Sequence, residues 1–293
     1  MRDVSALRPG AGIALLAALA TLATTSVSAQ APSLIDVLTR VGDRVRQYYG
    51  RAQSVMCDEK VTIQPINHSF SPEGFARVLE YDLRIEWEAI AQGDGAPDAK
   101  VVRELRKVNG RPPRPKDLEA CMDPKSVSPE PLELLLPRHR EDYLFSWMGP
   151  GKLKNLRTFM LDYRSRVRGK IEGSLKDDCV SISAPGYSKG RIWIDELTHD
   201  VLRLDEQLIS RLEYRLQRPK GARYAGSEDT YIVERADSTI RYRRVAFHDP
   251  EEAVLLPESI ESLTVFGGSA ASHRTTQVFS NYRRFLTTGR VVQ

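Results

Sequence analysis

The chain has 293 residues, of which 41% are hydrophobic and 28% are charged, a composition typical of a globular protein and too apolar for a disordered one. The 19 glycines and 17 prolines exclude collagen-like and low-complexity chains. The 43 basic and 39 acidic residues give a formal charge of +4 that is spread along the chain. Polyanion-binding proteins usually concentrate their charge more, so we expect no nucleic-acid partner.

Residues 1–29 have the pattern of a secretory signal peptide. Arg2 and Arg8 provide a positive start, an apolar run follows at 11–24, and the small residues before Gln30 form a cleavage site after Ala29. The run is shorter than the roughly 20 residues of a membrane-spanning helix, although an uncleaved membrane anchor is the alternative. We therefore predict export to the periplasm, or secretion, of a mature chain with no transmembrane segment.

Three cysteines, Cys57, Cys121 and Cys179, would meet an oxidising compartment after export. One disulfide and one thiol are then expected, but the sequence does not choose among the three pairings. The cysteine spacing matches no zinc pattern, and three cysteines are too few for a disulfide-stapled scaffold. A hydrophobic core must therefore hold the fold together.

Residues 34–50 are predicted to form an amphipathic helix. Ser33 can cap its start and Gly50 suits its end. Because the polar face carries Asp36 and Asp43 as well as arginines, packing on a sheet is favoured over a membrane surface. Apolar residues recur at spacings of four and three along one face: Leu34, Leu38, Val41, Val45 and Tyr48.

The segment 79–89 alternates strictly between apolar and charged residues. Such period-two alternation predicts a long antiparallel strand with one face in water, and it excludes a doubly wound α/β fold here. The apolar side consists of Leu79, Tyr81, Leu83, Ile85, Trp87 and Ala89, and the charged side of Glu80, Asp82, Arg84, Glu86 and Glu88.

Further strands follow the same pattern, and most of them come in pairs. They are predicted at Val101–Val108, at Arg191–Asp195 and Val201–Leu208 around the turn 196–200, at Thr239–Phe247 and Val254–Phe266 around the turn 248–251, and at Thr275–Phe285. Between them, 131–140 is predicted to form a short helix or lid with Leu132, Leu135 and Leu136 on its apolar side, ended by Pro137. The sequence thus predicts one β-rich α+β domain over 30–293, with a curved antiparallel sheet or barrel at 53–290.

No motif in the sequence carries a catalytic or metal site. The five histidines lack the spacing of metal ligands, and the sequence has no H-E-x-x-H motif, no G-x-S-x-G motif and no glycine-rich phosphate loop. His248-Asp249 is explained by a turn, and Asp177-Asp178 by a solvated loop. We therefore predict no enzyme activity, no metal and no cofactor; an exported hydrolase is a third and weaker hypothesis.

The aromatic residues on the predicted strands indicate a hydrophobic ligand. If the sheet curls without closing, its apolar face lines a concavity that can accept acyl chains, whereas an ordinary filled core is the alternative. The candidate ligand-binding residues on the concave face are Tyr81, Leu83, Ile85, Trp87, Trp147 and Trp193 on strands and Leu135 in the 131–140 segment.

Basic residues cluster at 103–116, 164–170 and 241–244. The ordinary interpretation is that these clusters are solvated faces of alternating strands. In an exported protein they could also contact lipid headgroups or the acidic surface of a partner. Arg241, Arg243 and Arg244 are the candidates for binding anionic headgroups at the rim of the concavity.

The segment Gly190–Asp205, GRIWIDELTHDVLRLD, resembles the strand–turn–strand signature of the outer-membrane lipoprotein carrier (LolA-like) superfamily, in which a G-x-x-W-I-D strand turns back into V-L-R. Many relatives have Pro-Glu-Thr-Gly in the turn. This chain has Glu196-Leu197-Thr198-His199, so a histidine takes the position where glycine would ease a left-handed backbone. The motif is structural and carries no catalytic residue. The resemblance implies an open, or half, β-barrel with helices on its concave side as plug or lid, and binding of lipids or lipidated proteins.

The sequence therefore predicts a monomeric periplasmic binding protein that holds a lipid, or the acyl chain of a lipidated protein, on the concave face of its sheet. The alternative is an envelope module that binds or senses a protein partner and has a filled core. An open apolar cavity of several hundred cubic ångströms on the concave side would distinguish the first hypothesis from the second.

Overall fold

The computed structural model describes residues 32–51, 54–87, 99–117, 121, 123–124, 132–176, 179–217, 228–248, 251–268 and 271–284. The predicted signal segment 1–29 lies outside these residues, as do Asp177-Asp178, Asp249, the ends of the predicted strands at 88–89 and 285, and the side chains of Trp87 and Cys179.

Within the described residues, one α-helix precedes a long series of strands. The helix is α1 (Leu34–Arg51). The strands are β1 (Ser54–Pro65), β2 (Arg77–Trp87), β3 (Ala99–Val108), β4 (Tyr143–Leu153), β5 (Leu156–Ser165), β6 (Glu172–Lys176), β7 (Cys179–Ser183), β8 (Ser188–Asp195), β9 (Val201–Leu208), β10 (Leu212–Gln217), β11 (Glu228–His248), β12 (Glu251–Gly267) and β13 (His273–Arg284). Three short 3₁₀-helices, Pro115–Asp117, Leu132–Leu135 and Pro137–Asp142, lie between β3 and β4.

The strands form one large antiparallel sheet in the order β3-β2-β1-β13-β12-β11-β9-β8-β5-β4. β10 pairs with 228–233 of β11, on the same edge of that strand to which β9 pairs at 237–241. β6 and β7 form a separate two-stranded hairpin. The two edge strands, β3 and β4, do not pair with each other, so the sheet is open.

The sheet bends around α1. Ile85 of β2 and Ile192 of β8 belong to the same hydrophobic core cluster as Val41 of the helix. In a flat sheet, the six strand spacings between β2 and β8 would separate them by about 29 Å, at about 4.8 Å per strand. A helix is only about 10 Å across, so a flat sheet could not enclose it from both sides. We call the face that packs on α1 the inner face.

α1 covers part of this inner face with the stripe of residues that the sequence predicted. Ser33 caps the helix: its hydroxyl oxygen accepts the backbone N–H of Asp36 at 3.1 Å, and the same hydroxyl donates to the Asp36 carboxylate at 2.7 Å. The buried residues are Val37, Leu38, Val41, Gly42, Val45, Tyr48 and Tyr49. Leu34 packs against the core but is only partly buried.

The 3₁₀-helices Leu132–Leu135 and Pro137–Asp142, which we call the plug, fill the space beside α1. All four leucines at 132 and 134–136 are buried. Arg140 fastens the plug to the helix, because its guanidinium donates to the carbonyl oxygen of Leu135 within the plug and to that of Leu38 in α1. The helix and the plug therefore fill this part of the inner face, apart from a small cavity of about 40 Å³ between Tyr48, Leu132 and Val254.

The predicted fold class is confirmed: the structure has a mainly antiparallel open sheet, one N-terminal helix and a short helical segment on the inner face. The sequence analysis gave no bounds for β1, β4, β5, β6, β7 or β10, although it placed Trp147 of β4 on a strand. β1 carries the charged run Asp58-Glu59-Lys60, which hides its alternation because the middle residue, Glu59, is buried. β4 contains Gly149 and Pro150, which are depleted in strands.

Gly42 is required where the plug meets the helix. A Cβ at this position would collide with the Arg140 guanidinium and lie 3.0 Å from the Leu135 carbonyl oxygen, whereas a Cβ at Gly50 would meet no atom within 4 Å. We expect Gly42→Ala to lower the free energy of unfolding by about 1 kcal/mol or more, because overpacking outweighs the gain in helix propensity.

Gly50→Ala in the same helix is the matched control, and we expect it to leave stability unchanged or raise it by up to about 1 kcal/mol. Urea unfolding of both variants measures the difference. Equal stabilisation by the two substitutions would contradict the contact between Gly42 and the plug.

Candidate functional site

The residues that the sequence analysis proposed for the concave face are mostly core residues. Leu83 and Ile85 of β2 are 1% and 7% exposed, and Leu135 of the plug is fully buried. Tyr81, on the same face of β2, is 7% exposed and belongs to a second small cluster with Val61, Ile63, Leu79 and Val108. These four side chains are therefore buried and not exposed to an open concavity, and Leu83, Ile85 and Leu135 lie in the cluster that also contains α1 and plug residues.

The two described tryptophans among the candidates lie on opposite faces of the sheet. Trp147 of β4 is partly buried against the core, with its ring 5.3 Å from that of Phe159. Trp193 of β8 lies between Ile192 and Ile194, which are both fully buried, so strand alternation places its side chain on the outer face. There the Arg203 guanidinium stacks over the indole ring at 4.5 Å. Trp193 therefore cannot contact a ligand on the inner face.

The three arginines proposed as a headgroup rim are engaged within the protein. Arg241 pairs with Glu261 at 2.6 Å across β11 and β12. Arg243 donates to the backbone carbonyl of Phe279 at 3.5 Å. Arg244 pairs with Asp200. Each of the three arginines therefore has an intramolecular contact, and their binding of anionic headgroups stays a prediction.

Asp200 is the centre of a network that joins α1 to the sheet. Its side chain is 7% exposed. Arg44 of the helix donates to one carboxylate oxygen through Nε at 2.9 Å and Nη2 at 2.7 Å. Arg244 of β11 and the Thr198 hydroxyl donate to the other oxygen. The turn between β8 and β9 thus connects the helix to β11, the neighbour of β9 in the sheet, through one carboxylate.

The basic cluster at 103–116 is also ion-paired. Arg103 of β3 is buried against Glu59 of β1, with its Nε 2.7 Å from the Glu59 carboxylate, and the two side chains are 5% and 0% exposed. Burial raises the pKa of Glu59, and Arg103 opposes that shift. The ordinary interpretation of this cluster as a solvated strand face fails at Arg103, which lies on the inner face.

An open cavity of about 570 Å³ lies elsewhere on the inner face. The fully buried residues Leu204 and Ile192 are paired in register within the core. Glu206 and Leu208 follow Leu204 along β9 at intervals of two residues, so they lie on the same face of the strand. Both line the cavity. The cavity is therefore the continuation of the inner face beyond the part that α1 and the plug fill. We call it the hairpin cavity.

The walls of the hairpin cavity are largely apolar. The β6–β7 hairpin covers it, held near the sheet where the Tyr214 ring of β10 packs against the backbone of Gly173. The apolar lining consists of Val180 and Ile182 from the hairpin, Ala184 and Pro185 from the loop that follows, and Leu208, Leu212, Val233, Ala236 and Phe266 from the sheet. The rest of the described lining is Tyr143, Ser183, Gly186, Tyr187, Ser188, Glu206 and Thr264.

Glu206 forms a polar end to this cavity. The Tyr163 hydroxyl donates to its carboxylate at 3.0 Å, and Ser188 also hydrogen-bonds to it. Burial raises the pKa of Glu206 above its ordinary value, and these two hydrogen bonds oppose the shift. Burial also raises the pKa of Tyr163 and of Tyr143, which lies beside it. The arrangement places one hydrogen-bond acceptor with a titratable charge in apolar surroundings.

The sequence analysis missed Glu206, although a signal for it was present. β9 alternates from Leu202 and Leu204 to Glu206, so an acid occupies an apolar-face position. Gly190 of the G-x-x-W-I-D motif lies opposite: a Cβ there would overlap the Asp205 carbonyl and lie 2.7 Å from the Tyr163 ring. The glycine of the motif therefore allows Tyr163 to pack close enough to reach Glu206.

The outer face carries a second, more polar depression of about 530 Å³ around Trp193. Arg191 is paired with Asp162, and Arg203 with Asp205 at 2.8 Å. Leu144 of the edge strand β4 also lines it and is 48% exposed.

Other chemistry is weakly represented in the described part of the chain. No group of three or more His, Cys, Asp or Glu side chains in that part could hold a metal ion. His139 lies 2.6 Å from Glu133 and 3.9 Å from Asp142, and none of the contacts described for it is with a serine or cysteine. Cys57 is a buried thiol and Cys121 is disulfide-bonded. Of the three pairings that the sequence left open, the two that include Cys57 are therefore excluded.

Comparison with known proteins gives likenesses of fold only. The chain matches no protein-family model and no curated protein. Among solved structures, it is similar to a putative outer-membrane lipoprotein-sorting protein domain from Vibrio parahaemolyticus, at 13% identity and a TM-score of 0.42, over 86% of this chain and 92% of that one.

Two further solved structures are similar at 8% identity. One is a LolA superfamily protein from Nitrosomonas europaea, with a TM-score of 0.38 over 87% of this chain and 97% of that one. The other is a DUF1329 family protein from Desulfovibrio piger, with a TM-score of 0.41 over 87% and 94%. At TM-scores this low we draw nothing from these likenesses.

Among the residues that the structure describes, no helix combines the length and the apolar character needed to cross a membrane.

The Asp200 network can be tested by removing its charge. We expect Asp200→Asn to lower the free energy of unfolding by about 1–2 kcal/mol, because the amide cannot balance two arginines, both of which retain some solvent screening. Asp43→Asn is the control: Asp43 is 54% exposed and pairs with Arg46 on the helix surface, so its loss should change stability by less than about 0.5 kcal/mol. Urea unfolding of both variants measures the two losses of stability. Equal losses would contradict the network.

Glu206 should make the protein less stable as the pH rises. Its folded pKa lies above the unfolded value of 4.5, so the folded state binds the proton more tightly, and stability falls as the pH climbs from 4.5 through the folded pKa. Glu206→Gln cannot ionise, so its stability relative to the native chain should increase with pH across that window, by about 1.4 kcal/mol for each unit of pKa shift.

Glu213→Gln, on an exposed position of β10, is the control and should show no such trend. Urea unfolding at several pH values from acidic to neutral measures the differences. A Glu206→Gln variant whose relative stability is independent of pH would contradict the burial of this carboxyl.

Proposed function

We propose that this protein is exported to the periplasm, loses residues 1–29 after Ala29, and holds the acyl chain of a lipid or of a lipidated protein in the hairpin cavity. The proposed binding site thus differs from the one expected from the sequence, since it lies under the β6–β7 hairpin and not against β2 and the plug.

The observation that carries the proposal is the hairpin cavity itself. Its volume of about 570 Å³ falls within the range of about 300–1,000 Å³ typical of ligand pockets. Nine of the lining side chains are apolar, among them Leu208, Leu212 and Phe266, and the one charged lining side chain, Glu206, is hydrogen-bonded to Tyr163 and Ser188. A cavity with apolar walls and one polar end suits an amphiphile that places one acyl chain in the cavity.

Burial of the chain would supply the affinity. Each methylene removed from water contributes about 0.8 kcal/mol, against which the ligand's loss of translational and rotational freedom must be set. Affinity should therefore increase with chain length until the cavity is full, which makes the site selective for length and tolerant of chemical detail along the chain.

The sequence and the cysteine chemistry support export. Residues 1–29 combine a positive start, an apolar run and a small-residue cleavage site. Cys121 is disulfide-bonded, and disulfides persist in oxidising compartments such as the periplasm.

A second candidate function is binding of a protein partner in the cell envelope. The specific observation in its favour is the outer face, where Trp193, with Arg203 stacked over its ring, lines a depression together with the exposed Leu144 of edge strand β4. Tryptophan and arginine are enriched in interface hot spots. This function would leave the hairpin cavity without a physiological ligand, so purified protein would carry no lipid and would not bind added amphiphiles.

Filling the hairpin cavity tests the proposal. Ala236 is a small side chain in the lining, and Ala236→Trp would occupy the volume that an acyl chain needs. We expect the native protein to retain co-purifying lipid in native mass spectrometry and to bind a long-chain amphiphile, and the variant to lose the lipid and bind at least about tenfold more weakly.

Val278→Trp is the control, because Val278 is 44% exposed and its neighbour Phe279 is buried in the core, so the new ring would face solvent. This variant should bind like the native chain. A native protein that purifies without lipid and ignores added amphiphiles would overturn the proposal and favour the second candidate.

A further inference from the structure

The described lining of the hairpin cavity contains a single charged side chain, Glu206. The other polar groups there are hydroxyls of serine, threonine and tyrosine. Arg168 stacks over the Tyr187 ring at 5.1 Å but is not among the lining residues. The cavity is therefore weakly acidic, which is the opposite of the arginine rim that the sequence suggested.

Glu206 retains unused hydrogen-bonding capacity. A carboxylate offers about four acceptor positions, and Tyr163 and Ser188 supply two donors. The side chain lines the cavity, so its remaining acceptor positions are open to a bound molecule. An ionised carboxylate in apolar surroundings is stabilised when a cation or a hydrogen-bond donor approaches it.

Resting on the proposed function, we propose that the hairpin cavity selects amphiphiles whose polar end is a primary ammonium group, and that Glu206 is the residue that determines this specificity by accepting its hydrogen bonds. An ammonium group placed in an apolar cavity needs an opposite charge, and Glu206 provides one. A ligand carboxylate at the same place would meet a like charge, so carboxylate-ended chains are disfavoured.

Aromatic rings at the same end suit a cation. Tyr143 lines the cavity, and its ring is 6.0 Å from that of Tyr163, which holds Glu206. The faces of such rings attract an ammonium group within about 6 Å. One carboxylate with neighbouring aromatic rings is a combination that recognises amines, and it occurs here at the polar end of a chain-sized cavity.

Two amphiphiles with the same chain test the preference. The probes are dodecylammonium and dodecanoate, each used below its micelle concentration at neutral pH and followed by titration calorimetry. We expect the full-length mature protein to bind dodecylammonium about tenfold more tightly than dodecanoate, which is the size of one charged hydrogen bond.

Glu206→Gln should reduce this ratio to near unity, because the amide carries no charge while its oxygen can still accept the Tyr163 hydroxyl. Glu213→Gln, on the opposite face of β10 from Leu212, is the matched control and should keep the tenfold ratio. The comparison of the two probes on the native chain needs no variant, so a Glu206→Gln protein that failed to fold would leave the test intact.

The ammonium group can come from a lipid headgroup or from a free long-chain amine, and a second arm separates these sources. Native mass spectrometry after incubation with equal amounts of phosphatidylethanolamine and phosphatidylglycerol, matched in acyl chains, should recover the ethanolamine lipid if the source is a headgroup. Recovery of neither lipid together with tight binding of dodecylammonium assigns the site to free amines.

The outcomes separate the two proposals. If neither dodecylammonium nor dodecanoate binds, the proposed function fails. If both bind with equal affinity, or if dodecanoate binds more tightly, the cavity is a chain-binding site and the ammonium specificity is overturned. A preference that survives in Glu206→Gln would overturn the role of Glu206.

Discussion

The burial of α1 on the inner face of the sheet is the interaction on which the rest of the structure depends. The apolar stripe that includes Val37, Val41 and Tyr49 packs against strands that are far apart in the sheet order, so the sheet must bend to surround the helix. That bending gives the sheet an inside without closing it, because β3 and β4 remain separate edges. The helix also determines which part of the inside is filled: where it and the plug end, the same face continues as an open cavity. The proposed binding site is thus the part of the inner face that the helix and the plug leave unfilled.

The charged residues serve mainly to hold this arrangement. Asp200 joins the helix to β11 through Arg44 and Arg244, and the buried pair of Glu59 and Arg103 joins β1 to β3 within the inner face. A buried ion pair adds little net stability compared with apolar packing, but removing one partner is costly, so such pairs enforce one register. This use of arginine explains why basic clusters in the sequence did not indicate a ligand. Some of their partners, such as Glu59 for Arg103 and Asp200 for Arg244, are acids distant in sequence that only the folded sheet brings within reach.

The hairpin cavity differs from the filled core in one chemical respect. The rows of the inner face change from aliphatic residues such as Leu204 and Ile192 to a polar set at Glu206, Tyr163 and Ser188, and then back to apolar residues at Leu208 and Phe266. The polar set is hydrogen-bonded within itself, so it does not destabilise the core that it borders. It is also where the polar end of a ligand can be recognised, while the apolar side chains beyond it contact the ligand's acyl chain.

The fold class, the helix and seven of the thirteen described strands could be predicted from the sequence, because period-two and helical periodicities are local properties of the chain. The sequence also indicated the β8–β9 hairpin in detail: His199, which takes the position where relatives have glycine, does adopt a left-handed conformation with φ of 59°. The sequence did not determine which apolar residues would be core and which would line a cavity. Leu83 and Leu208 look alike in a strand pattern, and only the tertiary structure decided that α1 and the plug would cover the first and leave the second beside open space. Periodicity assigns a residue to a face of a strand. Whether other side chains cover that face depends on elements from distant parts of the chain.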